Sequence, residues 1–470
     1  MYRTLSLVGA ALLSTVLSAC GSDSTTATPS ASHAHGTLAI SPPFRIASVD
    51  AATFQSQLSA NSGGPQLLQI AGTPVCGVDF YYINFWTQGA VGETTESSGA
   101  LMVPTGPSPT CSGPRPIVLY AHGTQFNKAA NIADITNTSN TEGALIAAMF
   151  AAQGYIVVAP NYAGYDISTL GYHPFLNAAQ ESGEMIDALT AARTALPNTF
   201  ANATRDSGRL FITGYSEGGY VAMATQRAMQ NADMTVTAAA PMSGPYALEA
   251  LFDSVIFGNV DLGSTLFSPL VTTSYQHAYS NVYQQTSDYY SATYAAGIDT
   301  LLPSTTPTST LIQNGLLPQL SLFDSTTPTV PGGDQQALIL TQALMPPSDP
   351  NNPFTPLYDI GFGNPYLINN SVRVAYALDT VNDPDGIELG TAALAVTPPT
   401  YGLRNDLYVN DLRNGGWAPT APTLLCAGSE DPTVFFATDT GIMAQFWSNV
   451  PTVSVLDVDP AKGPSGPFAA

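Results

Sequence analysis

Gly214-Tyr215-Ser216-Glu217-Gly218-Gly219-Tyr220 reads G-x-S-x-G-G. An apolar run, GRLFITGYS (208–216), leads into it, and EGGYVAMATQRAMQ (217–230) follows with helical spacing. Small neighbours let a serine at such a strand-to-helix turn stand clear of the backbone. The helix N-terminus behind it favours negative charge at a reacting centre. The motif alone is weak, because Gly- and Ser-rich chains contain it by chance. Between a strand and a helix it marks Ser216 as a nucleophile rather than a structural turn serine.

Working outward, strand and helix signals alternate. Early strands are read at 76–87 and 97–106, and RPIVLYAHG (115–123) is an apolar run ending in His-Gly. A helix is expected over 141–154, a buried strand over 155–160, an amphipathic helix over 177–196 and a strand over 235–244. Such alternation with short connections predicts a parallel sheet covered on both faces. The rhythm breaks over 247–417, where a tyrosine-rich stretch and Pro/Ser/Thr loops read as helices joined by irregular segments. It resumes with strands at 421–434 and 452–459 around a helix at 435–449. The expected division is a signal peptide (1–20), a flexible tether (21–45), a core (46–246 and 418–470) and a cap or lid insertion (247–417).

A serine nucleophile needs donors for the oxyanion it generates. One is the N–H of the following residue, Glu217; the other comes from the loop after an earlier strand. In YAHGTQ (120–125), Thr124 or Gln125 offers that N–H, and Gly123 allows close backbone approach. The acid is expected at a strand end after the nucleophile, and TLLCAGSEDPTV offers Glu430 and Asp431. Asp431 is preferred because Pro432 pins the turn behind it.

The segments LYAHGTQ, GYIVVAPNYAGYD, GYHPFL, GYSEGGY and NDLRNGGWAPTAPTLLCAGSEDPTVFF together resemble the secretory lipase-like branch of the α/β-hydrolase superfamily. The resemblance covers roughly residues 70–460. It implies an α/β-hydrolase fold with a mainly helical cap, and a carboxylic-ester hydrolase (esterase or lipase) needing no metal or cofactor. Carried over by position, Ser216 is the nucleophile, Asp431 the acid, and Thr124 with Glu217 the oxyanion donors. His173 and Tyr162 would line the region near the site. The family places its base after the last strand, but the five histidines here are His33, His35, His122, His173 and His277. The base is therefore unassigned; His122, His173 and His277 are the remaining candidates, all outside the family's Ser, acid, His order. The expectation is that a C-terminal segment carrying a histidine and a cysteine is missing, and that this form is weakly active.

Composition narrows the alternatives. The chain has 470 residues, 12 Lys+Arg against 34 Asp+Glu, and a formal charge of −22. So acidic a surface repels phosphate backbones, and no nucleic-acid partner is expected. Arg3, an apolar run from Leu5 to Val16 and Leu17-Ser18-Ala19-Cys20 form an export signal too short to span a membrane. L-S-A-C resembles a bacterial lipobox, implying lipidation of Cys20, a membrane anchor and a place in the cell envelope, at the outer membrane or cell surface. His33-Ala34-His35 in the tether lacks the further fixed ligands a metal site needs. Export implies an oxidising compartment, so Cys76 and Cys111, which flank the early strands, are expected to be bridged, leaving Cys426 without a partner. Two other functions stay open: a serine peptidase on the same fold, and a non-catalytic surface lipoprotein that has lost its base.

Overall fold

The computed structural model describes residues 33–459, apart from 61–62, 136, 138–139, 201–202 and 388. The signal segment, Cys20 and the stretch after 459 lie outside the described residues. The strands are β1 (Phe44–Val49), β2 (Gly77–Gln88), β3 (Thr94–Thr105), β4 (Gly113–Ala121), β5 (Ile156–Pro160), β6 (Thr204–Tyr215), β7 (Ala238–Met242), β8 (Phe323–Asp324), β9 (Phe362–Gly363), β10 (Thr423–Ala427) and β11 (Val453–Asp457). Nine of them form one sheet in the order β1-β2-β3-β5-β4-β6-β7-β10-β11. Neighbours from β5 onward in that order are parallel, whereas β1, β2 and β3 add antiparallel pairs at one edge.

Period-2 alternation sorts the side chains of this sheet onto two faces. Ile117, Leu119 and Ala121 of β4 enter one core cluster with the helices Ala178–Ala195 and Glu217–Asn231. Val118 and Tyr120 enter the other, with Phe54, Leu58 and the helix Thr141–Met149. Both faces are covered, so the parallel strands read as continuous apolar runs. Two crossover helices begin at side-chain caps: Asn140 accepts from the Gly143 N–H and Asn177 from the Gln180 N–H.

One boundary is corrected. Residues 33–45, expected within the flexible tether, are instead fixed along β2. The His33 ring stacks on Trp86 at 4.0 Å, the Gly36 N–H donates to the Trp86 carbonyl, and Leu38 bridges Phe85 before β1 pairs with β2. The outer edge of β2 presents unpaired backbone groups, and this segment satisfies them. The helix expected over 435–449 is also shorter, Thr440–Phe446, since 435–439 turns to bury Asp439.

Between β7 and β10 the chain leaves the sheet. This insertion holds the helices Leu248–Ile256, Ser264–Tyr279, Asn370–Asn382 and Gly402–Asn410, together with the β8–β9 pair. It is tied together by scarce cations. Arg404, fully buried, bonds Asp253 at 2.9 Å and Glu249 at 3.0 Å, and reaches Asp379 at 3.4 Å. Arg413 bonds Asp411 at 2.8 Å, and Arg373 donates to the Ile256 and Leu344 carbonyls beneath the Phe323 ring. Several carboxyls lack such a partner or are only partly compensated. Burial pushes Asp187 up to about 6, Asp261 and Asp406 to about 7, and Glu249 to about 8 despite Arg404.

Two outcomes follow from these features. A carboxyl raised in the folded state keeps a proton that the unfolded chain has already released. The stability it contributes is therefore complete below about pH 4 and is lost as pH rises through 6 to 8. Thermal unfolding followed by circular dichroism should give a Tm that falls between about pH 5 and pH 8.5; a Tm that rises across that window contradicts the burial of these groups. Cys76 and Cys111 are bridged, with Cα atoms 5.4 Å apart and a sequence separation of 35. Closing a loop of that length removes about 3–4 kcal/mol of unfolded-chain entropy. A Cys76→Ser/Cys111→Ser variant should lose about that much in urea unfolding.

Candidate active site

Ser216 occupies the turn between β6 and the helix Glu217–Asn231, at φ 59° and ψ −127°. That backbone conformation costs a non-glycine residue on the order of 1–3 kcal/mol and persists only where the surroundings enforce it. Here they do. The Ser216 N–H donates to the Met242 carbonyl at the end of β7. A Cβ on Gly218 would lie 2.0 Å from the Ala121 carbonyl oxygen, and one on Gly219 would lie 2.3 Å from that of Met242. The first turn of the helix is thus wedged, backbone against backbone, between the ends of β4 and β7. Serine usually caps a helix with its hydroxyl, but Ser216 makes no side-chain cap bond. Among the described residues nothing bonds its Oγ, which is left free for chemistry.

The loop after β4 runs beside this turn, with Gly123 packed 3.8 Å from the Ser216 Cβ, measured at the position of a Cβ on the glycine. Four bonds fix the loop. The Glu142 carboxylate accepts from the Gly123 N–H at 3.1 Å and from the Tyr120 hydroxyl at 2.7 Å. Tyr162 donates to the His122 carbonyl and Tyr165 to the Gln125 carbonyl. Thr124, Ser216 and Glu217 all line one cavity. Among the described residues, no protein group accepts from the backbone N–H of Thr124 or of Glu217. Two unspent donors beside a free hydroxyl are what a developing oxyanion requires.

The cavity holds about 740 Å³ of empty space, its mouth included. Most of its wall comes from the insertion and is apolar: Leu251, Val255, Phe267, Phe323 and Ile368, with Phe175 from the core. Asp261 is the carboxyl that the insertion adds to this wall, held by the Ser264 hydroxyl. Asp431 lies four residues beyond β10, on the same edge of the sheet as Ser216, with Oδ1 accepting from the N–H groups of Thr433 and Val434. Thr433 and Val434 line the cavity, and the Leu262 N–H donates to the Pro432 carbonyl, joining insertion to acid loop. Glu430 is exposed.

The candidate bases sit elsewhere. His122 turns Nδ1 to the Gly123 carbonyl and stacks on Tyr162 at 4.1 Å. His277 stacks on Tyr172 at 3.8 Å, with burial lowering its basicity. His173 is fully buried, with Nδ1 2.9 Å from the Ala163 carbonyl oxygen and Nε2 2.8 Å from Glu217 Oε1. Among the described residues, none of these bonds Ser216 or Asp431. His35 lies 3.8 Å from Asp187.

His173, Glu181 and Glu217 are the group whose ligand atoms converge, all within 4.8 Å of one another. A metal with bonds of about 2.0–2.1 Å would hold tetrahedral neighbours about 3.3 Å apart. The 2.8 Å His173–Glu217 contact is instead the length of a hydrogen bond. Sequence reasoning missed Glu142, Glu181 and Asp261. Each is an acid on an otherwise ordinary stretch: Glu142 acts on the loop after β4, Glu181 joins a buried cluster with His173 and Glu217, and Asp261 lines the cavity. Cys426 is the free cysteine of the described residues.

Known proteins resemble this arrangement. Residues 143–249, which span the serine turn, match the Prolyl oligopeptidase family. The whole structure is similar to a ligand-bound form of the rice cell wall degrading esterase LipA from Xanthomonas oryzae. The TM-score is 0.68 at 26% identity, covering 91% of this chain and 92% of that one. A protein of Legionella pneumophila, provisionally assigned as a hydrolase, matches with TM-score 0.62 at 20% identity over 88% of this chain and 90% of its own. That likeness speaks for the fold. No curated protein sequence matches the chain.

The wedge at Gly218 is open to test. Gly218→Ala should lower the unfolding free energy by at least about 2 kcal/mol, through overpacking against a carbonyl that cannot retreat. It should also abolish labelling of Ser216 by a fluorophosphonate. Gly171→Ala, whose added Cβ meets nothing within 4 Å, is the matched control and should change neither.

Proposed function

We propose that this chain, a serine hydrolase of the α/β-hydrolase superfamily, cleaves carboxylic esters through an acyl-enzyme on Ser216. The observation that carries the reading is the strained turn that presents a free Ser216 hydroxyl, beside two unspent N–H groups, to an apolar cavity. In this mechanism Oγ adds to the ester carbonyl. The N–H groups of Thr124 and Glu217 hold the oxyanion, the alcohol leaves with the proton, and water reverses the addition to release the acid. Asp431 is the acid of the site, on the strand-end loop that also reaches the cavity.

An apolar wall rich in Phe, Leu and Ile suits an acyl chain, which gains about 0.8 kcal/mol per buried methylene. The insertion at 247–417 is read as a cap because its helices supply most of that wall. Likeness to the Xanthomonas esterase at 26% identity supports an ester over an amide. Export with a lipid on Cys20, holding the chain at the cell envelope, belongs to the same proposal and rests on Leu17-Ser18-Ala19-Cys20. Among the described residues no helix is long and apolar enough to cross a membrane.

One observation favours a second reading, a peptidase. Asp261 is a carboxyl on the cavity wall, and burial pushes it up to about 7. Above that pH its charge would hold a substrate amine. The match over 143–249 does not separate the readings, because it covers the turn that both chemistries share.

The assay compares a p-nitrophenyl ester with an aminoacyl p-nitroanilide, alongside fluorophosphonate labelling. The expected result is labelling at Ser216 that is lost in Ser216→Ala. Ester turnover should exceed anilide turnover by at least about 100-fold, the scale of a lost transition-state contact. Anilide turnover equal to or above the ester rate would move the assignment to a peptidase. No labelling would leave a fold without the activity.

A further inference from the structure

The loop between β5 and the helix Ala178–Ala195 touches both oxyanion donors from behind. Tyr162 and Tyr165 hold the 122–125 loop by its carbonyls, and His173 holds the Glu217 side chain. A Cβ on Gly164 would lie 2.3 Å from the Tyr172 carbonyl oxygen. With no side chain there, the loop folds onto itself and brings His173 beneath the serine helix. The other wall is Glu181, whose Oε1 lies 3.6 Å from His173 Nε2 and accepts from the Leu176 N–H. The side chains of His173 and Glu181 have no exposed surface, and that of Glu217 has 1%.

Proton counting shows what this cluster is. The Ala163 carbonyl only accepts, so His173 Nδ1 carries a hydrogen. Nε2 faces a carboxylate oxygen at 2.8 Å, so a second proton lies between His173 and Glu217. Burial and the Glu217 charge push the Glu181 carboxyl well above its usual range. Among the described residues, the second oxygens of Glu181 and Glu217 have no hydrogen-bond partner. A proton shared between imidazole and carboxylate lowers the cost of burying that pair.

Resting on the esterase reading, we propose that His173 is a positioning residue. By sharing a proton with the Glu217 carboxylate, and with Glu181 closing the cluster, it fixes the Glu217 peptide at the angle its N–H needs to meet the oxyanion. The same contact keeps an uncompensated carboxylate from sitting behind a centre that becomes negative in the transition state. Glu217 therefore has two parts with two tasks: its N–H faces the substrate and its side chain anchors that N–H. The loop 162–173 sets both donors, one through tyrosine hydroxyls on carbonyls and the other through this imidazole.

The experiment measures kcat and KM for a p-nitrophenyl ester on the full chain, with Tm as a record of folding. Glu217→Ala should lower kcat about 100-fold at a KM within about twofold, because the oxyanion exists only in the transition state. Glu217→Gln, which keeps a hydrogen-bonding partner for Nε2, should recover most of that loss. His173→Ala should lower kcat comparably, and the double variant should be no worse than the worse single one, as for residues acting as a unit. The proposal is overturned if kcat changes less than about threefold in Glu217→Ala at unchanged Tm, if the two losses multiply, or if the purified chain holds stoichiometric metal. A parent chain that neither labels at Ser216 nor turns over ester overturns the esterase reading and this inference with it. Failure in the variants alone overturns only the inference.

Discussion

The arrangement depends on backbone packed against backbone at one point. The helix that begins at Glu217 enters the sheet so tightly that the carbonyls of Ala121 and Met242 occupy the space where Cβ atoms of Gly218 and Gly219 would be. Three consequences follow from that single contact. Ser216 is forced to φ 59°, its hydroxyl is withheld from the helix cap it would otherwise make, and the loop after β4 is brought alongside it. The strain at Ser216 is small beside the sheet that enforces it. Six parallel strands and helices on both faces hold the wedge in place.

Charge is handled by scarcity. A chain with 12 cations and 34 acids cannot pair every buried carboxyl. It places Arg373, Arg404 and Arg413 in the interior, where each serves several acceptors, and leaves other acids, such as Asp261 and Asp406, pushed up to about 7 by burial. The cluster behind the serine follows the same logic with an imidazole in place of a guanidinium. Breaking such a group by removing one member is costly, because the remaining charge is left buried without a partner.

Function, as proposed, is divided between the two parts of the chain. The sheet supplies the rigid features: Ser216, the two N–H donors and the loop of Asp431. The insertion supplies the apolar wall and Asp261, so it decides what is admitted. The hydrogen bond from Leu262 to Pro432 joins the two, and the wall and the acid loop are held to each other.

How much of this could be read from the sequence differs from residue to residue. G-x-S-x-G-G between an apolar run and a helical one located Ser216, because the steric demand of the turn is met only by glycines at fixed offsets. Alternating strand and helix signals located the parallel sheet, because burial on both faces requires continuous apolar runs. The edge of the sheet was hidden: Phe44–Val49 is largely exposed, and its pairing comes from the open edge of β2 rather than from any pattern of its own. Glu142, Glu181 and Asp261 carried no sequence signal, since what matters is the Gly123 N–H 19 residues away for Glu142, a buried cluster with His173 and Glu217 for Glu181, and a cavity wall for Asp261. His173 was legible only as a residue near the site, and its bond to Glu217 across 44 positions gave it a task. The sequence by itself determined which backbone could fold around the serine, because local sterics and periodicity are written in neighbouring residues. Tertiary structure alone decided which ionisable groups meet, because that depends on distance and burial, and neither is a property of neighbours in the chain.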